Sequence, residues 1–518
     1  MLNGILRIVW IFAWVGVLSL LSGCSNSRVA EPADTGQFDL VIAGGRVIDP
    51  ETELDGVRHI GIRGGSIVTV SEQPLDDRIA PGGERIDAAG LVVSPGFIDL
   101  HAHGQSAIAN EFQAHDGVTT ALELESGYLG IAEWLESRKG RAPIHYGAST
   151  AQSMARALAM RDGEERTQLE KHIRDSMKGG QGTPSVLDRS LAESFYAELP
   201  EAAYPDMRHE LEKGLREGGI GFGLPHQYTP GANRNEIFEV FRAAAEFDVP
   251  IFTHVRSMTL DAMQEVIANA AATGAPLHIV HVNSMSLGQL PTVLGLIGDA
   301  QRQGLDITTE AYPYTAGSTG LESAIFDDGW QEKLGISYGD LQWEATGERL
   351  TREAFDRYCK SGGTVILHAM KEEWIELAMS TPFVMVASDG MPYAPGAHPR
   401  SAGTFSRVLG RYVRDRGVLD LPTAIRKMTY LPARRLQEMV PVMARKGRLQ
   451  PGADADITIF DSQSVLDTAT FEDDLSFSQG IEHVIVLGTF VIKGGQTVKG
   501  ALPGQPILGR YAEGRGGD

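Results

Sequence analysis

Short apolar runs rich in Val, Ile, Leu and Phe recur through the middle of the chain, and stretches of helical periodicity follow them. The runs are Gly96–Leu100, Thr119–Leu124, Pro143–Ala148, Gly221–Leu224, Pro250–Thr253, Leu277–Val280, Asp306–Tyr312 and Phe383–Ser388. Continuous apolar runs of this length predict strands buried on both faces. The intervening segments, Arg234–Phe247 and Thr259–Ala272 among them, repeat apolar residues at helical spacing. Eight strands with helical crossovers predict the α/β class and a closed (β/α)₈ TIM barrel over residues 96–440. An open doubly wound sheet is the alternative.

The two ends of the chain carry a different pattern. Asp39–Ala43, Arg46–Ile48, His59–Ile62 and Ser66–Val70 alternate apolar and polar residues between Gly-Gly pairs, and Ala455–Phe460, His483–Leu487 and Thr489–Lys493 do the same. Such alternation predicts half-buried antiparallel strands. We read residues 38–95 and 441–500 as two halves of one small β-sandwich, with 501–518 as a C-terminal tail. Residues 315–382 are too long for a strand-to-helix connection and include a strand-like run, Thr364–Leu367. They read as a lid-like insertion or a structural subdomain.

Composition narrows the function classes. The chain of 518 residues has a formal net charge of -21, which argues against a nucleic-acid surface. An apolar run, Ile8–Leu21, follows Arg7 and is too short for a stable span. The order Leu21-Ser22-Gly23-Cys24 resembles the lipobox of bacterial lipoproteins. That resemblance implies a signal peptide over 1–23, a lipid on Cys24, a tether over 24–37, and a membrane-anchored protein facing the periplasm or cell exterior. An ordinary cleaved signal or an uncleaved anchor is the alternative. Cys359, the other cysteine, reads as a small buried hydrophobe.

Barrel active sites lie at the C-terminal ends of the strands. There the sequence places histidines and carboxylates. His101 and His103 follow the first strand, and residues two apart in extended chain share a face. The second strand carries Glu123 and Glu125, and a buried carboxylate is costly unless paired or metal-bound. Glu125 is at the strand end and is preferred as a bridging ligand; Glu123 shares its parity but lies about 6–7 Å deeper. His254 and His281 end two later strands, whereas His278 sits at the wrong end of its strand. Asp389 ends the last one, where a carboxylate could bind a metal and accept a proton from water. Together these residues predict a site for one or two divalent ions, zinc foremost.

These residues in this order resemble the amidohydrolase superfamily, and within it the D-aminoacylases (N-acyl-D-amino-acid deacylases). Further segments carry the likeness: Gly44-Gly45-Arg46-Val47-Ile48-Asp49-Pro50, Tyr312-Pro313-Tyr314-Thr315-Ala316, and His398-Pro399-Arg400 through Gly403-Thr404-Phe405. The resemblance implies hydrolysis of a linear amide on an amino-acid nitrogen, with the D configuration. It also implies that Arg400 holds the substrate carboxylate and that Tyr228, Tyr312 and Ser318 line the pocket or polarise the scissile carbonyl. The chain departs from the family in two places. A bridging Cys is expected where Glu125 stands, and a Lys where Asn283 stands. Cyclic-amide hydrolysis or deamination on the same metal site, and a non-catalytic binding lipoprotein, are the other readings.

Overall fold

The computed structural model of the protein describes residues 36–177 and 189–513. Cys24 and the expected signal peptide lie outside the described residues. Among the described residues, no helix is long and apolar enough to cross a membrane.

Eight parallel strands form the barrel sheet: β1 (Phe97–Asp99), β2 (Val118–Tyr128), β3 (His145–Ala151), β4 (Phe222–Pro225), β5 (Ile251–His254), β6 (Leu277–Ile279), β7 (Ile307–Ala311) and β8 (Val384–Val386). Each neighbours the next in sequence, and nearly every residue of these strands is buried. Their two-sided apolar composition reflects side chains of the barrel interior on one face and the helix layer on the other. The helix Arg234–Phe247 shows how that layer forms. Asn233 caps its start by accepting from Glu236 N at 3.0 Å, and Ile237, Val240, Phe241 and Ala244 are buried as one stripe.

The seam between β8 and β1 is closed beyond the strands themselves. Ala102 and Gly390 form a parallel bridge, and the Asp99 carboxylate accepts from Ser388 N at 3.0 Å and from the Ser388 hydroxyl. Side-chain bonds thus replace ladder bonds where the loops after these strands leave the sheet.

The chain ends meet in one nine-stranded sheet, joined where Val92–Pro95 pairs antiparallel with Ile457–Phe460. Its core includes Leu40, Ile42, Ile60, Ile457, Ile459 and Ile485. Two expectations are corrected. The segments 39–43 and 46–48 are one strand, Phe38–Asp49, bulged between Ile42 and Gly45, with Gly44 at φ 72° taking the kink. The sheet is also mixed, because Ile79–Asp87 and Val92–Pro95 run parallel to that strand. The first of these went unread because Pro81, Gly82 and Gly83 interrupt it.

The insertion is a small layered unit. Thr364–Leu367 lies between Gly317–Gly320 and Leu341–Trp343, over a core that includes Leu321, Phe326, Trp330 and Phe355. Cys359 packs at its edge, half-buried, with its sulfur near Leu321 O at 3.6 Å. The tail docks rather than trailing, as Ile507 N donates to Tyr146 O at 2.7 Å.

Candidate metal centre

Six donor side chains converge at the C-terminal mouth of the barrel, from β1, β2, β5, β6 and β8. They fall into two groups that share one residue: His101, His103, Glu125 and Asp389 form the first, and Glu125, His254 and His281 the second. In the first, His101 Nε2 lies 3.1 Å from His103 Nε2 and 2.7 Å from Glu125 Oε2. Asp389 Oδ1 is 3.4 Å from both imidazole nitrogens. In the second, Glu125 Oε1 lies 2.9 Å from His254 Nδ1 and 3.8 Å from His281 Nε2. The two oxygens of Glu125 therefore face different groups, as a carboxylate bridging two ions would. His281 and Asp389 both adopt left-handed backbone, at φ 32° and 51°. Positive φ is uncommon outside glycine, and it turns both residues off their strand ends toward the centre.

Glu123 belongs to neither group. Its Oε2 meets His103 Nδ1 at 2.7 Å. Glu310 plays the same part for His101, at 2.7 Å from Nδ1, while its other oxygen holds His278 Nε2 at 3.0 Å. With each Nδ1 so engaged, each Nε2 points inward, which is how histidine ligands are set by their outer partners.

The donor set fits a divalent cation. All the donor atoms of each group lie within 4.8 Å of one another, and all but His103 are buried. Nitrogen and carboxylate oxygen donors of this kind suit zinc and similar ions. The charge balance agrees. Burial disfavours protonated His101 and His103, yet Asp389 and Glu125 around the first and Glu123 and Asp389 around the second hold both imidazoles well above their ordinary range. Burial alone would raise Asp389, but the charges of Arg400 and His101 outweigh it and keep the carboxyl well below its usual range.

A cavity of about 460 Å³ opens above the donors. Tyr228, Tyr312, Ser318 and Arg400 all line it. Arg400 is 1% exposed and stacks on Tyr312, its guanidinium carbon 4.7 Å from the ring centroid. Its Nη1 lies 2.8 Å from Asp389 Oδ2, yet off the hydrogen-bonding direction, so both Nη1 and Nε are left without an acceptor. Buried guanidinium N–H groups without acceptors are rare and costly. The Tyr228 hydroxyl pairs with Thr319 Oγ1 at 2.9 Å, and burial, with the nearby charge of Glu125, raises its pKa so that it stays protonated. Ser318 Oγ is buried without a partner.

The amidohydrolase family profile matches residues 337–492. An N-acyl-D-glutamate deacylase from Alcaligenes xylosoxydans xylosoxydans is 31% identical over 493 residues, covering 88% of this chain and 94% of the relative. A D-aminoacylase from the same organism is 30% identical, covering 88% and 95%. The chain belongs to the D-aminoacylase family of amidohydrolases. The structure of an N-acyl-D-glutamate deacylase from Bordetella bronchiseptica, solved with zinc and a phosphonate mimic of the tetrahedral intermediate, superposes with a TM-score of 0.75 at 26% identity. It covers 91% of this chain and 100% of the other.

Within this amidohydrolase several site residues escaped sequence reasoning. Asp99 closes the barrel seam and accepts from His101 N at 3.1 Å. His398 accepts from Arg400 N at 3.0 Å and donates from Nε2 to Ala316 O at 2.9 Å, which orients the arginine. Glu310 had a readable signal: it is a carboxylate inside an apolar strand, like Glu123 and Glu125. Asn283, where a Lys was expected, is fully buried and donates to Tyr312 O at 3.0 Å.

Glu310→Gln tests the outer layer. Zinc affinity measured by competition titration should fall about 10- to 100-fold. Burial raises Glu310, but hydrogen bonds with His101 and His278 outweigh it and lower its pKa from 4.5 to about 2. A carboxylate so depressed stabilises the fold above its unfolded pKa and loses that contribution as pH falls through the folded value. The metal-free wild type should therefore lose melting temperature between about pH 4.5 and 2 more steeply than the variant. Parallel acid limbs would remove the role given to Glu310.

Proposed function

We propose that the protein removes the acyl group from N-acyl-D-amino acids, with His101, His103, Glu125, His254, His281 and Asp389 holding one or two divalent ions. The observation that carries this reading is Arg400, buried beside Asp389 with two N–H groups lacking an acceptor. A free α-carboxylate would satisfy that fork. A substrate anchored there places its amide toward the donor groups.

Bound zinc supplies Lewis acidity, polarising the scissile carbonyl and acidifying water. The chain's own groups do the rest. Asp389, ionised, accepts a proton from the attacking water and returns it to the departing amine nitrogen. The Tyr228 hydroxyl, being protonated, donates to the carbonyl oxygen as charge develops there. Tyr312 fixes Arg400 by stacking, and the insertion walls the cavity with Ser318, Thr319 and Glu344. Glu125, in place of the expected Cys, would offer a bound ion carboxylate oxygen rather than sulfur, a harder donor that suits manganese or cobalt as well as zinc.

The sequence order at Leu21-Ser22-Gly23-Cys24 supports the further proposal of an exported lipoprotein anchored through Cys24. Mass analysis of membrane-extracted protein checks it: an unmodified, uncleaved N-terminus would end it. The family relationship leaves no support for a purely non-catalytic binding role, and the 31% and 30% identity to deacylases, against 24% to a dihydroorotase, favours a linear over a cyclic amide.

Metal-loaded protein should release free amino acid from N-acetyl- or N-formyl-D-amino acids. Chelation should abolish turnover, and added zinc should restore it. Release of ammonia without free amino acid, or full activity after the metal is removed, would overturn the deacylase reading.

A further inference from the structure

The cavity wall away from the metal centre has a charge of its own. Among the described residues, Arg400 is the only lysine or arginine that lines the cavity. Two carboxylates outside the donor groups face it, Glu322 and Glu344, both from the insertion. Glu322 has a local task, accepting from Gly363 N at 3.0 Å. Glu344 differs. It directly follows the strand Leu341–Trp343, is 6% exposed, and its Oε2 is buried without a hydrogen-bond partner. Burial raises this carboxyl to about 6, against a bond from Thr364 and the charge of Arg400. A buried carboxylate oxygen with no donor is unfavourable unless a ligand supplies one. Apolar side chains, Met154, Phe195, Met258, Ile325 and Leu367, make up much of the remaining wall.

The cavity thus carries one buried cation and, outside the donor groups, one buried carboxylate with an oxygen that no hydrogen bond satisfies; Arg400 likewise keeps N–H groups without an acceptor beside its ion pair with Asp389. We propose that the substrate carries a cationic group as well as its α-carboxylate, and that Glu344 receives that group while Arg400 receives the carboxylate. This rests on the deacylase reading and names its substrate class. In an N-acyl amino acid the α-nitrogen is an uncharged amide, so the cation comes from elsewhere. It sits either on the side chain, as in a lysine- or ornithine-type substrate, or on the acyl part, as in the terminal amine of a dipeptide. The same wall disfavours an acidic side chain, since among the described residues no second lysine or arginine lines it and Glu344 would repel a carboxylate. That separates this chain from the relative named for D-glutamate, 31% identical to it.

The test is a comparison of kcat/KM on zinc-loaded full-length protein for Nα-acetyl-D-lysine, glycyl-D-leucine, N-acetyl-D-leucine and N-acetyl-D-glutamate. One of the first two should exceed N-acetyl-D-leucine by at least about tenfold, and which one does so locates the cation; N-acetyl-D-glutamate should be the poorest. Glu344→Gln should reduce the ratio of the cationic to the neutral substrate by about tenfold or more, and Glu344→Lys should reverse the order of the lysine and glutamate substrates. A best rate on N-acetyl-D-glutamate, or a ratio unmoved by Glu344→Gln, would overturn this inference and leave the deacylase reading standing. No turnover of any of the four would overturn both.

Discussion

Asp389→Asn should lower kcat by about 10³-fold while the protein stays folded, the size of effect expected when a positioned proton-transfer group is lost. The residue sits where three demands meet. It lies 3.4 Å from the inward nitrogens of His101 and His103, it faces the cavity, and the nearby Arg400 charge helps keep it ionised. Asparagine preserves shape and one oxygen donor but cannot take a proton. Activity should be measured alongside bound metal by elemental analysis, because Asp389 belongs to the first donor group. A variant with metal retained and kcat lost supports proton transfer. Near-normal turnover with metal bound would eliminate that role.

Arg400→Met should cost about 10²- to 10³-fold in kcat/KM, equivalent to about 3–4 kcal/mol, as expected for losing a buried charge-assisted pair. The loss should be dominated by KM for substrates with a free carboxylate and should nearly vanish for the corresponding amides. Arg400→Lys should recover only part of it, because an ammonium lacks the planar fork. A second readout separates anchoring from packing. Arg400 is the first of the charges that depress Asp389, so removing it raises that carboxyl and moves the acidic limb of the pH–rate profile to higher pH. Equal losses for acid and amide substrates, with an unmoved acidic limb, would assign Arg400 a structural part instead.

The metal centre was legible because it is written at strand ends. His101 and His103, Glu125, His254, His281 and Asp389 each follow or end an apolar run, and barrel strands deliver such residues to one rim whatever the loops do. Their supporting partners were harder to see. Glu310 reaches His101 from a strand 209 residues away, and Asp99 reaches Ser388 across 289. No local pattern encodes those pairings, because they depend on which strands the closed sheet makes neighbours. The mixed sheet was misread for a similar reason: parallel pairing of Ile79–Asp87 with Phe38–Asp49 is non-local, and its Gly-Pro interruptions mask the alternation.

By itself the sequence pointed to the barrel, to the joining of the two ends and to the six candidate donors. Apolar periodicity specifies burial, and burial of a regular strand specifies where its polar terminus emerges. Only the tertiary structure decided how those donors divide, with Glu125 offering one oxygen to each group and Glu123 turned to His103. It alone also brought Arg400 against Asp389 and put Glu344 on the cavity wall with one oxygen lacking a donor. The first depends on how the loop after the last barrel strand folds back and the second on how the insertion packs at the cavity, and a one-dimensional pattern carries no record of either.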